Sequence, residues 1–214
     1  MDGAASLGVV IDVAQAEQMQ RHALALLQWN RRTNLTAVTA PKDVAVKHYV
    51  DSLAPLPFIP VRGRLLDVGS GGGFPGLPLK IARSRLEVTL LDAARKKITF
   101  LKHAIHSLAL DRITAHQARL EALAGSGGVE RFDMIVSRAF GRLDALVAAC
   151  LPLLATGGRM LLLMGPQIDA EVAQLETART GKGVHLAGRD LKLKVVAYRL
   201  PELDAARRLV ILQP

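Results

Sequence analysis

The stretch LLDVGSGGGFPG, residues 65–76, joins an apolar run to a turn that contains five glycines. Residues 64–68 have the pattern of a short buried strand, and the acid Asp67 stands near its end. Glycine tolerates positive φ angles and lets the backbone approach a ligand closely. In doubly wound α/β sheets, ligands bind beyond the carboxyl ends of the strands, where the strand order reverses. The stretch therefore predicts a doubly wound α/β fold with a ligand site at this turn.

Strand and helix patterns alternate along the following chain, which favours a parallel sheet covered on both faces. The other predicted strands are 87–92, 112–117, 132–137 and 159–164, and the predicted helices are 77–83, 94–109, 142–151 and 168–178. Two late segments, LKVVAYRLP (193–201) and RRLVILQ (207–213), flank a short polar loop. We expect them to form an antiparallel hairpin at the edge of the sheet.

A helical segment precedes the predicted sheet. Residues 10–32 place Met19, Ala23, Leu26 and Leu27 on one apolar stripe. A second helix is predicted to begin near Pro41, since proline is favoured at the first helical position. The proline-rich stretch APLPFIPVRG (54–63) then marks a boundary. The predicted organisation is an N-terminal helical segment, 1–60, packed on a core domain, 61–214.

Composition limits the class of protein and its partners. Half of the 214 residues are apolar, and no run approaches the ~20 apolar residues of a membrane span. The N-terminus lacks signal-peptide features, and the single cysteine, Cys150, lies in an apolar run. Lysine and arginine number 28 against 19 acids, a net charge of +9 that favours a polyanionic partner, most often nucleic acid. We expect a monomeric cytoplasmic protein that binds nucleic acid.

Two ligands compete for the glycine turn. GGGFPG (71–76) matches the dinucleotide fingerprint, but Pro75 interrupts it and no other nicotinamide signal follows. The alternative pattern is DVGSGGG (67–73), in which Asp67 takes the ammonium of an amino-acid moiety and Gly69, Gly71 and Gly73 admit its carboxylate and the ribose. Asp92, at the end of the second strand, then accepts from the two ribose hydroxyls. This combination resembles the S-adenosylmethionine site of class I methyltransferases.

Other catalytic constellations are weaker. His48, Asp51 and Ser52 lie within one helical turn, and the G-x-S-x-G elbow of a hydrolase is missing. His103 and His106 have helical spacing but no evident third and fourth metal ligands, so no metal site is predicted. The fourth strand ends in VSRAF (136–140), without the D/N-P-P-aromatic motif of many amine methyltransferases. We therefore predict a class I S-adenosylmethionine-dependent methyltransferase fold: a Rossmann-like, mostly parallel seven-stranded sheet with an antiparallel terminal hairpin and an N-terminal helical extension.

Several segments together identify a family. They are LLQWNRRTNLTAVT (26–39), KHYVDSL (47–53), LLDVGSGGGFPGLPLKI (65–81), TLLDAARKKITFLK (89–102), QARLEAL (117–123) and VSRAF (136–140). In this order they resemble the bacterial 16S ribosomal RNA methyltransferase G family, also called glucose-inhibited division protein B, over nearly the whole chain. The resemblance implies S-adenosylmethionine-dependent methylation of guanine N7 in 16S RNA, at position 527 in the decoding-region loop, on the RNA or the 30S subunit.

The resemblance also assigns site residues. It implies that Gly69 and Phe74 line the cofactor pocket, that Leu120 and Glu121 flank the adenine, and that Arg138 completes the site. One departure concerns the end of the fifth strand, where similar sequences tend to carry Lys-Gly and this chain has Met164-Gly165. Met164 either leaves the chain without an RNA contact or packs beneath the site. The predicted cofactor set is Asp67, Gly69, Gly71, Gly73, Phe74, Asp92, Leu120, Glu121 and Arg138.

Basic residues outside this set predict an RNA-binding rim. They are Arg31, Arg32, Lys47, Arg95, Lys96 and Lys97, of which the last three are equally compatible with a solvated helix start. Guanine N7 carries a lone pair at neutral pH, so we expect no general base and no catalytic triad. The alternative function is a catalytically silent RNA-binding assembly factor on the same fold.

Overall fold

The computed structural model describes residues 2–125, 131–138, 142–177 and 184–214. Within them eight strands form one sheet in the order β3-β2-β1-β4-β5-β8-β7-β6. Strands β1 to β5 run parallel, whereas β8 is antiparallel to β5 and β7 is antiparallel to both β8 and β6. The strands are β1 (Gly63–Val68), β2 (Leu86–Asp92), β3 (Ile113–Gln117), β4 (Phe132–Arg138), β5 (Leu154–Met164), β6 (Val184–Leu186), β7 (Arg189–Leu200) and β8 (Ala205–Gln213).

The helices cover both faces of this sheet. They are α1 (Asp2–Ala5), α2 (Val13–Thr33), α3 (Pro41–Val44), α4 (Asp51–Leu53), α5 (Gly76–Ala82), α6 (Arg95–Ser107), α7 (Leu120–Gly125), α8 (Leu143–Cys150) and α9 (Ile168–Thr177). A π-helical turn, Ala45–Val50, connects α3 to α4 without a break. The predicted helix 168–178 agrees with α9, although residue 178 lies outside the described part.

Strand order explains where a ligand can bind. Strand β1 has β2 on one side and β4 on the other, so the chain reverses its winding direction at β1. The loops after β1 and β4 diverge there and leave a crevice at the carboxyl ends of the strands. The glycine turn follows β1 directly. The predicted α/β fold is confirmed, and the ligand site at this turn stays a prediction.

The sheet has one strand more than the seven predicted. Strand β6 has only three residues and pairs with β7 at the edge of the sheet. A segment this short is too brief for an alternating pattern of apolar residues to reveal it. The other strands agree with the predicted ones, and β5 begins five residues earlier, at Leu154.

Two apolar clusters lie on opposite faces of the sheet. Leu65 of β1 belongs to the first cluster and Leu66 to the second, because successive side chains of a strand point to opposite faces. The first cluster also contains residues of α2, such as Leu26, and of α6, such as Phe100. The second contains residues of α8 and α9. The parallel strands are therefore buried on both faces, as their apolar runs predict.

The N-terminal helices pack on the first face. Helix α2 begins at Val13 because Asp12 caps it: Gln15 N–H donates to Asp12 Oδ1 at 2.8 Å, and the Gln15 side chain accepts from Asp12 N–H. Gln15 Nε2 also donates to the carbonyls of Ile81 and Ala82 at the end of α5. The first cluster thus joins the segment before residue 60 to the sheet, while the division of the chain into 1–60 and 61–214 stays a prediction.

A buried ion pair fastens this segment to the terminal hairpin. The Asp51 carboxylate accepts two hydrogen bonds from the Arg207 guanidinium, at 3.0 and 2.8 Å, and a third from Tyr198 O–H at 2.7 Å. Asp51 therefore has a structural role, which agrees with rejecting a hydrolase built on His48, Asp51 and Ser52. In the described part of the chain, no helix has the length and apolar character that crossing a membrane requires.

Candidate cofactor and RNA site

The glycine turn is fixed against the neighbouring strand. Gly69 N–H and Ser70 N–H both donate to the Leu91 carbonyl of β2, at 2.8 and 3.0 Å. Gly71 and Gly73 have φ angles of 56° and 96°, which residues with a Cβ rarely adopt. At Gly73 a Cβ would also overlap the Leu77 side chain. The turn therefore needs glycine for its backbone path and for its close packing on α5.

Asp67 lies behind this turn and is fully buried. Its Oδ2 accepts from Gly76 N–H at 2.9 Å, and a Cβ at Gly76 would lie 2.7 Å from the same oxygen. Its Oδ1 has no hydrogen-bond partner among the described residues. Burial raises the pKa of the Asp67 carboxyl from 3.8 to about 7, against the opposing effect of the Gly76 N–H. Asp67 thus holds the turn with Oδ2, while its buried Oδ1 has no partner among the described residues.

Asp92 ends β2 beside the turn and is 7% exposed. Its Oδ2 accepts from Gly71 N–H at 3.0 Å, and its Oδ1 accepts from Ala94 N–H at 2.9 Å. Lys97 Nζ lies 3.4 Å from Oδ2. A carboxylate oxygen has two lone pairs, so Oδ1, which has one donor, can still accept from a ligand.

A cavity of about 600 Å³ opens beside Asp92. It lies between the ends of β1 and β2 and the helices α7 and α8, and its size is typical of a small-molecule site. Of the nine predicted cofactor residues, the structure brings Gly69, Asp92, Leu120 and Glu121 together at this cavity. Further lining residues that were not predicted for the cofactor are Lys97 of α6, which was assigned to the RNA-binding rim, Ala145, Leu146 and Ala149 of α8, and Arg142 directly before α8. Helix α8 carries no sequence motif that could have indicated its place beside the cavity.

Phe74 lies elsewhere. It is 3% exposed and does not line the cavity. Its ring stacks on His48 with centroids 4.6 Å apart, and it meets Tyr49 edge-on at 5.1 Å. Phe74 therefore connects the glycine turn to the N-terminal helices, and its predicted contact with the cofactor stays a prediction.

Arg138, at the end of β4, is likewise held by the N-terminal segment. Its Nη1 donates to the Lys47 carbonyl and to His48 Nδ1, both at 3.1 Å, and its guanidinium lies 5.1 Å from the Phe74 ring centroid. A guanidinium can only donate, so His48 Nδ1 accepts, and the ring proton is on Nε2, 2.8 Å from Thr36 Oγ1. Burial and then the charge of Arg138 lower the pKa of His48 to about 4. Of VSRAF, residues 139 and 140 lie outside the described residues.

His22 packs against the rings of Phe74 and Tyr49, and it was not among the predicted site residues. It is fully buried, with Nδ1 2.7 Å from Tyr49 O–H and its ring centroid 5.3 Å from that of Phe74. Burial lowers the pKa of His22 to about 3. The available signal was its position on the buried stripe of α2, between Met19 and Leu26.

Of the six predicted RNA-binding residues, four are exposed on one side of the molecule, and the other two, Lys47 and Lys97, lie next to acids. Helices α2 and α6 pack antiparallel, since Gln18 reaches the Leu108 carbonyl while Trp29 contacts Phe100. The end of α2 therefore lies towards the start of α6, at the carboxyl side of the sheet. The exposed Arg31, Arg32, Arg95 and Lys96 share that side. Lys47 is exposed and pairs with Asp43 at 2.9 Å, whereas Lys97 turns towards Asp92 in the cavity.

Met164 lies at the end of β5 and is buried in the second apolar cluster. Of the two interpretations, the structure therefore favours a core position. No group of three or more His, Cys, Asp or Glu side chains placed to hold a metal ion occurs among the described residues. His103 packs against Trp29, with ring centroids 5.1 Å apart.

Comparison with known proteins decides the family. The family model described as rRNA small subunit methyltransferase G matches residues 15–192. The chain belongs to the rRNA small subunit methyltransferase G family. Its relatives in this family include Ribosomal RNA small subunit methyltransferase G of Geobacter sp. strain M21, 42% identical over 98% of this chain and 94% of that one. The protein of the same name from Myxococcus xanthus is 39% identical over 98% of this chain and 93% of that one.

A solved structure supports the fold that this family membership implies. The O-methyltransferase TomG from Streptomyces achromogenes, in complex with SAM, superposes with a TM-score of 0.57. The match covers 96% of this chain and 91% of that one at 16% identity, a likeness of fold. The predicted class I methyltransferase fold and the predicted family are both confirmed.

Proposed function

We propose that this chain transfers a methyl group from S-adenosylmethionine to guanine N7 in 16S ribosomal RNA, at the guanosine of position 527, in the cytoplasm. The observation that carries the proposal is the pair of acids around the glycine turn. Asp67 and Asp92 hold the turn from opposite sides, at the point where the sheet reverses direction. In a member of a family of rRNA methyltransferases, this is the arrangement that a cofactor with an amino-acid end and a ribose requires.

The described residues fit that cofactor. The buried, unpartnered Oδ1 of Asp67 needs a donor, and an ammonium group is one. Asp92 would hold the ribose hydroxyls at the rim of the cavity, with Leu120 and Glu121 beside the adenine. Bound S-adenosylmethionine supplies a methyl group on a positively charged sulfur.

The chain's own contribution is orientation. Guanine N7 needs no base, so the site has to place a lone pair in line with the methyl group, and positioning of this kind is worth ~7–11 kcal/mol. Positive charge passes to the purine as the methyl is transferred, so a cation beside the ring would oppose the reaction. Arg138 is held by His48 and the Lys47 carbonyl, and we assign it to RNA phosphate or to fixing the cofactor.

The RNA would approach over the carboxyl ends of the strands. Arg31, Arg32, Arg95 and Lys96 are exposed on this side of the molecule. The net charge of +9 provides long-range attraction to a polyanion. The substrate would be 16S RNA itself or the 30S subunit.

The test is methylation by the purified protein. We expect 16S RNA from cells that lack the gene to gain 7-methylguanine at one position when protein and S-adenosylmethionine are added, detected by mass spectrometry of RNA fragments. Cofactor binding without methylation of RNA or of 30S subunits would replace the proposal with the assembly factor. Absence of cofactor binding would remove both the assigned cofactor and the reaction.

A further inference from the structure

A second basic site lies at the opposite end of the sheet. An arginine immediately precedes each of the strands β1, β2 and β3: Arg62, Arg85 and Arg112 respectively. Because these strands are parallel neighbours, their amino ends meet at one edge of the fold. The three side chains line a common pocket of about 400 Å³, together with Ser84 and Asp111.

The guanidinium groups of these arginines have no partner among the described residues. None of the three guanidinium groups forms a hydrogen bond or an ion pair with another side chain in the described ranges. The acid in the pocket, Asp111, is 3.7 Å from the buried ammonium of Lys80, and its side chain is 79% exposed. Asp111 is the acid that lines this pocket, so three arginines face one exposed carboxylate there, and positive charge is in excess.

The base of the pocket is rigid. The Lys80 side chain is 1% exposed, and its Nζ donates to the carbonyls of Ser84 and Leu86 at 2.6 and 2.8 Å. These bonds fix the turn between α5 and β2 that carries Arg85. Arg112 has a φ angle of 48°, a left-handed conformation that is uncommon for a residue with a Cβ and that it shares with Ala109 of the same connection.

We propose that Arg62, Arg85 and Arg112 form a second RNA-binding site that holds backbone phosphates away from the methylated guanine. Guanidinium groups match phosphate oxygens in pairs, and three around one pocket that have no ion-pair partner among the described residues suit a polyanion. Strand β1 separates this site from the glycine turn, and its six residues span roughly 16–20 Å. An RNA must therefore be long enough to wrap around the sheet to reach both. The proposal rests on the proposed function.

The test compares two RNAs with a charge-matched pair of variants. The first variant is Arg62→Gln, Arg85→Gln and Arg112→Gln. The control is Arg189→Gln, Lys192→Gln and Arg199→Gln, three exposed cations of β7, near the opposite edge of the sheet. Both lose three positive charges. The RNAs are whole 16S RNA and a hairpin trimmed to the loop that carries the target guanine.

Binding is measured across a salt series. We expect the first variant to bind 16S RNA with a log–log salt slope flatter than that of wild type by about 2.1–2.7 units, since each lost phosphate contact removes about 0.7–0.9. The control slope should change by less than half as much. Both variants should bind the short hairpin as wild type does, because the hairpin does not reach the second site.

Three results would overturn the proposal. Equal losses in both variants would show an effect of net charge alone, and weaker binding of the hairpin would place the arginines beside the target. Unchanged RNA binding with a lower melting temperature would mean that they serve the ends of α5 and α6, whose C-terminal dipoles favour cations. Methylation of either RNA by wild type is scored separately, so loss of the second site and failure of the proposed reaction are distinguishable.

Discussion

At the scale of single residues, Asp67 and Asp92 have different roles in the candidate site, although both lie at or next to the end of a strand. Asp67 is fully buried and bonded to the Gly76 N–H, and its pKa is raised to about 7 by burial. Asp92 stands at the edge of the cavity and accepts from Gly71 and Ala94. The first acid organises the turn from behind, and the second faces the space that a ligand would occupy.

Replacing Asp92 with asparagine should weaken cofactor binding while the fold is kept. The amide retains one acceptor oxygen but loses the charge that strengthens bonds to hydroxyl groups. The loss of ~1.5–3 kcal/mol corresponds to roughly ten- to hundredfold lower affinity. Calorimetric titration with S-adenosylhomocysteine measures it, with Glu87→Gln, an exposed acid on the same strand, as the control. Affinities equal to wild type in both variants would remove Asp92 from the site.

Met164→Lys should destabilise the protein without improving RNA binding. The side chain is 7% exposed within an apolar cluster, so an ammonium there loses hydration without a partner. A cost on the order of 2–3 kcal/mol would lower the melting temperature by about 5–10 °C in a chain of this size. Met164→Leu is the matched control and should stay within about 1.5 kcal/mol of wild type. A stable lysine variant with a steeper salt slope would instead place position 164 at the RNA.

At the scale of elements, the N-terminal helices act on the site through the glycine turn and β4. Phe74 of the turn packs between His48 and Tyr49, while Arg138 of β4 donates to His48 and to the Lys47 carbonyl. These contacts come from the π-helical turn between α3 and α4, and π-bulges occur frequently at functional sites. The position of Arg138 therefore depends on how this segment docks.

Helix α2 should lose stability when its capping box is removed. Asp12→Ala leaves Gln15 N–H without its acceptor, while the backbone N–H of residue 12 can still donate to the Gln15 side chain. We expect a loss of about 1 kcal/mol in the free energy of unfolding, measured in urea, and unchanged cofactor affinity. Asp12→Asn keeps a capping oxygen and should remain within a few tenths of a kcal/mol of wild type. Equal losses in both variants would contradict the capping role.

At the scale of the whole molecule, buried titratable groups couple stability to pH. The pKa values of His22 and His48 are lowered to about 3 and 4 from 6.5, so both are neutral in the folded protein at pH 5. The unfolded chain binds a proton at each, and stability therefore falls as the pH falls below 6.5. The pKa of Asp67 is raised from 3.8 to about 7, so its contribution to stability increases as the pH falls and opposes one histidine.

Together, His22, His48 and Asp67 take up about one proton on unfolding between about pH 6 and pH 4.5. We expect the free energy of unfolding to decrease by about 1.4 kcal/mol per pH unit in this range. Urea unfolding at several pH values measures the slope. His48→Asn keeps an acceptor for Arg138 but cannot titrate, so its slope should be close to zero. A slope equal to wild type would show that His48 is not held neutral in the folded protein.

The amino-acid sequence by itself determined most of the longer elements of this protein, the α/β class, the glycine turn and the family. These depend on local information: apolar periodicity reports which side of a strand or helix is buried, and a turn with positive φ angles needs glycine at set positions. The start of α2 was predicted within three residues from its apolar stripe alone, and the Asp12 cap explains why the helix begins at Val13. Asp67 and Asp92 were predicted as site acids from local patterns too, since each lies at or next to the end of a strand.

Only the tertiary structure decided which side chains meet. Asp51 pairs with Arg207, 156 residues away, and Arg138 bonds the Lys47 carbonyl, 91 residues away, so no local pattern records either contact. Phe74 packs against His48 of the N-terminal segment, and Lys97 lines the cavity. Both positions depend on which neighbouring elements occupy the space beside the side chain. The three arginines before β1, β2 and β3 are scattered in sequence and share one pocket only because parallel strands align their amino ends. Burial and contact across a sheet depend on strand order, and strand order is a property of the whole chain.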